Sequence, residues 1–114
     1  MRVFLDECVN RHLLRHLNGH TFVHARDTPL RSTQNGVLLR AVSPDYDVFL
    51  TRDKNIPFQQ NLKRFPLAFV ILRAGSNKIE DLLPLVPDLL AMLERIATEG
   101  YEPGDLYEIT AQKV

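Results

Sequence analysis

Five short apolar runs, each of strand length and separated by stretches of helical spacing, confine this chain to folds built around a sheet. They are Arg2–Leu5, Thr21–His24, Asp47–Thr51, Leu67–Leu72 and Leu106–Thr110. Val48-Phe49-Leu50 and the whole of Leu67–Leu72 have no polar break, which is the pattern of parallel strands buried on both faces. Between the first two runs, Val9, Leu13, Leu14 and Leu17 recur at helical spacing, and Asn18-Gly19 supplies a stop. A second helix is predicted around Val37–Val42, ended by Ser43-Pro44. The polar stretch Asn55–Arg64, interrupted by Pro57, reads as a loop with a helical turn. Asn77 with Glu80 three residues on has the form of a capping box, Asn replacing the usual Ser or Thr. Pro84 and Pro87 exclude one unbroken helix after it, so a short turn and then a helix over Val86–Thr98 are expected. Gly100 ends that helix and Pro103-Gly104 turns the chain into the last strand.

Strands alternating with helices imply an α/β domain with a mainly parallel sheet of about five strands and right-handed crossovers. Its 114 residues fit one domain, 1–114, with no repeat or linker. No apolar run approaches the roughly 20 residues that span a bilayer. The start, MRVFLDEC, meets acid too soon for a signal peptide, so no membrane partner and a cytoplasmic location are expected. Cys8, the single cysteine, has no intrachain disulfide partner, in keeping with a reducing compartment.

Open parallel sheets bind ligands beyond the carboxyl ends of their strands. That rule selects Asp6-Glu7-Cys8, Arg26-Asp27, Arg52-Asp53-Lys54 and Arg73. Carboxylates gathered on one rim repel unless a cation or proton joins them. Hard divalent cations prefer oxygen, and Mg²⁺ takes one or two carboxylates while keeping several waters. Asp6 and Asp53 are therefore the candidate ligands of Mg²⁺ or Mn²⁺, and Glu7 a third ligand or a base. Arg26, Arg52, Lys54 and Arg73 are candidates for phosphate contacts, with Gln60 and Asn61 as amide donors and acceptors. Charge is unevenly spread although the net charge is zero: residues 1–78 hold 12 Lys/Arg against 6 Asp/Glu, a balance of +6, and residues 79–114 carry −6. Such asymmetry suits a polyanionic partner or, as plainly, two solvated faces. His12, His16, His20 and His24 recur every fourth residue, but the stop at Asn18-Gly19 takes the last two off the helix, so a solvated polar face is expected there rather than zinc. Two neighbouring acids should raise the pKa of Cys8, which argues against a catalytic thiol.

The stretches LDECVNRHLLRHLNGH and DVFLTRDKNIPFQQNL resemble the small PIN-like proteins related to VapC toxins. The match lies in Leu-Asp-Glu followed by a basic amphipathic segment and Gly-His over residues 5–20, and in Thr-Arg-Asp-Lys at 51–54. VILRAGSNKIEDLLPLVPDLL looks like a branch of the same family. The resemblance implies a Rossmann-like, PIN-type three-layer α/β/α fold and a divalent-metal-dependent ribonuclease, the toxin of a type II toxin–antitoxin pair. It would act on RNA with Asp6, Glu7 and Asp53 as catalytic residues, Asp6 and Asp53 binding the metal. A cognate antitoxin would be its protein partner, and a homodimer is compatible with the family. Related chains often carry an acid at the start of the helix after the second strand, where this chain has Gln34-Asn35. Two alternatives stay open: a catalytically inert binding module on the same fold, and a receiver-like phosphoacceptor domain. In the second, Arg73 stands where a receiver has Thr or Ser, and no Lys follows until Lys113.

Overall fold

A computed structural model describes residues 1–111. All five expected strands form: β1 (Arg2–Leu5), β2 (Thr21–His24), β3 (Val48–Thr51), β4 (Ala68–Arg73) and β5 (Leu106–Thr110). They make one sheet in the order β2-β1-β3-β4-β5, and every pairing is parallel. Helices α1 (Asn35–Val42), α2 (Ile56–Gln59), α3 (Ile79–Leu82) and α4 (Val86–Glu99) alternate with the strands. The result is a three-layer α/β/α domain. Among the described residues no helix is long and apolar enough to cross a membrane.

Strand periodicity sorts the core into two faces. One is aliphatic: Val3, Leu5, Val48, Leu50, Val70 and Leu72 meet Leu13 and the α4 residues Leu89, Leu93 and Ile96. The other is aromatic. Phe4, Phe49 and Phe69 stand in register on adjacent strands, with ring centroids 5.9 and 6.0 Å apart, beneath Leu38, Leu39 and Val42 of α1.

Three local expectations are corrected. The segment after β1 is a six-residue 3-10 helix, Arg11–His16, not an α-helix; Asn10 caps it by accepting from the His12 amide, and Gly19 at φ +86 turns the chain into β2. Asn77 does not cap α3. Its Oδ1 accepts from the Asn10 amide at 2.9 Å, tying the loop after β4 to that 3-10 segment, while Ser76 Oγ accepts from Lys78 N and donates to Asp81. The crossovers, finally, do not share one hand. The β1–β2 link crosses the aliphatic face in one direction; the β2–β3 and β3–β4 links cross the aromatic face in the other, which is the same hand. The β4–β5 link runs in that second direction over the aliphatic face, which reverses the hand. The six-residue 3-10 segment is too short to cover five strands, so α4 must lie on that face.

Candidate functional site

The chain leaves β1 for β2 on one side and later reaches β3 on the other, so the carboxyl ends of β1 and β3 flank the point where strand order reverses. In open parallel sheets that crevice is where ligands bind. Asp6 follows β1 directly, and its amide donates to Leu50 O of β3 at 2.8 Å. Its carboxylate is buried and bonded at both oxygens: Oδ1 accepts from the Glu7 amide at 2.8 Å, and Oδ2 accepts from Thr51 Oγ1 at 2.8 Å. Thr51 is itself fully buried at the end of β3, and its Oγ1 also accepts from the Asp53 amide at 3.0 Å. One hydroxyl therefore links the two candidate acids. Asp53 Oδ1 accepts from the Asn55 amide at 2.9 Å, closing a tight turn that leads into α2. Its Oδ2 has no partner among the described residues.

Cys8 Sγ sits 3.4 Å from both Asp6 Oδ2 and Thr51 Oγ1, and it accepts from the Arg52 amide at 3.5 Å. The residue is exposed, but its sulfur is turned inward. Desolvation of the thiol, and then the charge of Asp6, raise its pKa above the ordinary cysteine value. This is the environment of an inert thiol, as the sequence suggested. Glu7 points away from this network. Its Oε1 accepts from the Ser32 amide at 2.6 Å, and Ser32 has a φ of +62, a left-handed conformation that serine adopts at a cost. Glu7 thus pins the loop between β2 and α1 to the rim, and its Oε2 has no partner among the described residues.

The cations are distributed along the rest of the rim. Arg52, Asp53, Lys54 and Arg73 line one cleft of about 720 Å³ beyond β3, β4 and β5, together with Gly75 and Thr110. Arg73 pairs with Glu108 at 3.4 Å, with both side chains about half exposed. Arg52 Nε is buried without a hydrogen-bond partner. Arg26 is exposed at the end of the edge strand β2, about 10 Å from β3 at two strand spacings, and so outside that cleft. Gln60 and Asn61 are elsewhere again. They line a separate groove with Gly104 and Leu106, and the Gln60 amide lies against Gly36 in the first turn of α1.

Two carboxylates, Asp6 and Asp53, are linked through Thr51 at this rim, and one or two carboxylates is the number that Mg²⁺ takes while keeping several waters. Among the described residues no group of three or more His, Cys, Asp and Glu converges to hold a metal ion. Gln34 and Asn35, which stand where related chains often carry an acid, open α1 and bring no charge.

Two contributors were not singled out from the sequence. Thr51 reads as the last residue of an apolar strand, yet its hydroxyl organises both acids. His24, expected on a solvated face, is fully buried; its Nε2 lies 2.7 Å from Val9 O, and Nδ1 accepts from the Arg26 amide at 3.1 Å. Its register with Leu5, on the aliphatic face, was the available signal. Asp27 forms a bidentate pair with Arg11, which holds its carboxyl below the usual range and fastens the end of β2 to the 3-10 segment.

Residues 1–67, which include β1, β2, β3 and every acid of this network, match the family described as PIN like domain. The chain belongs to the PIN-like family. The matched portion of this PIN-like domain holds both Asp6 and Asp53, and it ends just before β4. No curated protein and no solved structure matches the chain.

Proposed function

We propose that this PIN-like domain is a divalent-metal-dependent endoribonuclease, the toxin of a type II toxin–antitoxin pair, related to VapC and acting in the cytoplasm. The single observation supporting the reading is the Asp6–Thr51–Asp53 linkage in the crevice between β1 and β3. Asp6 and Asp53 would hold one Mg²⁺ or Mn²⁺. When bound, such an ion stabilises charge on a phosphodiester and makes a bound water more acidic. Thr51 keeps the Asp6 carboxylate and the Asp53 turn in fixed relation. Glu7, which follows Asp6 but turns its side chain to the Ser32 amide, holds the loop between β2 and α1 against the rim and would reach a metal-bound water only from outside the Asp6–Thr51–Asp53 network. Arg52, Lys54 and Arg73 take the phosphates of an RNA strand in the cleft, and Arg26 extends the positive rim on the β2 side. A cognate antitoxin is the protein partner this reading requires.

The test is degradation of a mixed RNA pool in millimolar Mg²⁺ or Mn²⁺, with and without EDTA. Cleavage is expected to stop in EDTA and to fall by at least about 100-fold in Asp53→Asn, roughly the loss of one well-placed charge-stabilising group. Cleavage that survives both changes overturns the reading.

A second reading has its own observation. Two acids without a third, with Gln34-Asn35 opening α1, also suit a metal-free module that binds RNA and does not cut it. RNA binding without cleavage in any divalent metal would favour it.

A further inference from the structure

Phe58 is 87 % exposed, more than any other large apolar side chain among the described residues. It lies on α2, five residues beyond Asp53, in a groove of about 560 Å³ whose nine lining residues include no acid. The groove pairs four apolar side chains, Pro57, Phe58, Leu62 and Leu106, with Gln59, Gln60, Asn61 and Lys63. Its wall is fixed by Gly104, at φ +83, whose missing Cβ would come within 2.6 Å of the Lys63 backbone. The basic cleft ends on Asn55 and this groove begins on Pro57; only the fully buried Ile56 separates them. The two recesses therefore meet at the start of α2: the cleft, with cations beside Asp53, stops at the cap residue Asn55, and the groove carries an exposed ring among amides.

We infer that Phe58 is a base-stacking platform for single-stranded RNA whose phosphates run through the adjacent cleft. The inference rests on the ribonuclease reading and adds how the strand is held. An apolar protein surface laid on this groove would leave the Gln59, Gln60, Asn61 and Lys63 groups buried without partners, which is unfavourable. A nucleotide uses all of them: its base stacks on the ring, the base edges bond amides, and its phosphate meets Lys63. Stacking on a phenyl ring is tolerant of sequence, because every base has a π-face. The platform thus confers affinity for single strands over duplex, and little choice among bases.

The chain contains no tryptophan, so Phe58→Trp introduces a single reporter at the site. The experiment measures binding of a single-stranded 12-mer RNA, and of the same sugar-phosphate backbone without bases, in EDTA so that cleavage does not intervene. Phe58→Trp should bind the RNA as tightly as wild type, with its emission quenched on binding. Phe58→Ala should bind about tenfold more weakly, with an unchanged dependence on salt because no phosphate contact is lost. On the base-free backbone, wild type and Phe58→Ala should bind equally. Equal RNA affinity of wild type and Phe58→Ala, without quenching in Phe58→Trp, overturns the platform, leaves the RNA reading standing and assigns the ring to a protein partner. Failure of wild type to bind either oligomer overturns both.

Discussion

On the β1–β3 side of the carboxyl rim, Asp6, Thr51 and the Asp53 amide are joined by short hydrogen bonds, and Asp6 and Thr51 are buried. The cations that flank Asp53 and follow β4 stand apart: Arg73 holds Glu108 only at 3.4 Å, Lys54 is exposed, and Arg52 Nε has no partner among the described residues. The acids are fixed before any ligand arrives, while the cations keep their bonding capacity for one. Preorganised charge next to adaptable charge suits a site that positions a reacting group on one side and grips a long polyanion on the other. It also means that the two sides should answer differently to mutation.

The largest difference is expected in stability. Thr51→Val keeps the shape of the side chain and removes the hydroxyl, which takes one donor from Asp6 Oδ2 and the acceptor from the Asp53 amide. A buried polar group left unpaired costs on the order of 1–3 kcal/mol. Arg52→Ala, on the loose side, should cost less than about 0.5 kcal/mol. Its effect should appear instead in RNA binding, as a salt dependence shallower by roughly 0.7 of a slope unit for one lost phosphate contact. Urea denaturation and a salt series on both variants measure this. Equal stability losses would erase the contrast between the two sides.

A smaller effect is predicted at Cys8. Its pKa is raised first by desolvation and then by the Asp6 charge, so wild type should react with iodoacetamide at pH 8 more slowly than a free cysteine. Asp6→Asn removes the second cause and leaves the first, so alkylation should quicken without reaching the free rate. The sign for folding follows from linkage. A thiol whose pKa is raised in the native state contributes stability that is present below the ordinary thiol range and lost as pH rises through the raised value. Alkylation rates across a pH series check it; an Asp6→Asn rate equal to that of wild type would show that the acid does not act on the thiol.

The sheet was legible because continuous apolar runs have one economical explanation, strands covered on both faces. Asp6 and Asp53 were legible for the same reason, since both come just after such runs and the rule for open sheets places them on one rim. Thr51 was hidden by its position inside an apolar run, where strand propensity explains a threonine without any further role. The spacing of Val9, Leu13 and Leu17 suits an α-helix, but the segment closes after six residues as a 3-10 helix tied to Asn77 and Asp27, contacts from distant parts of the chain. Gln60 and Asn61 follow Asp53 closely in sequence, yet they line a different recess from the one that holds Asp53. Sequence proximity could not separate these two recesses. The reversed β4–β5 crossover was equally invisible, because it depends on which face still lacked a helix.

Calorimetric titration of Mn²⁺ tests, without any substrate, whether Asp6 and Asp53 together hold one divalent cation. Wild type should bind one ion per chain weakly, with a dissociation constant on the order of a millimolar, as expected for two carboxylates and a mostly hydrated ion. Asp6→Asn and Asp53→Asn should each lose that binding while keeping the circular dichroism of the folded domain. Wild-type Mn²⁺ affinity in either variant would contradict the account.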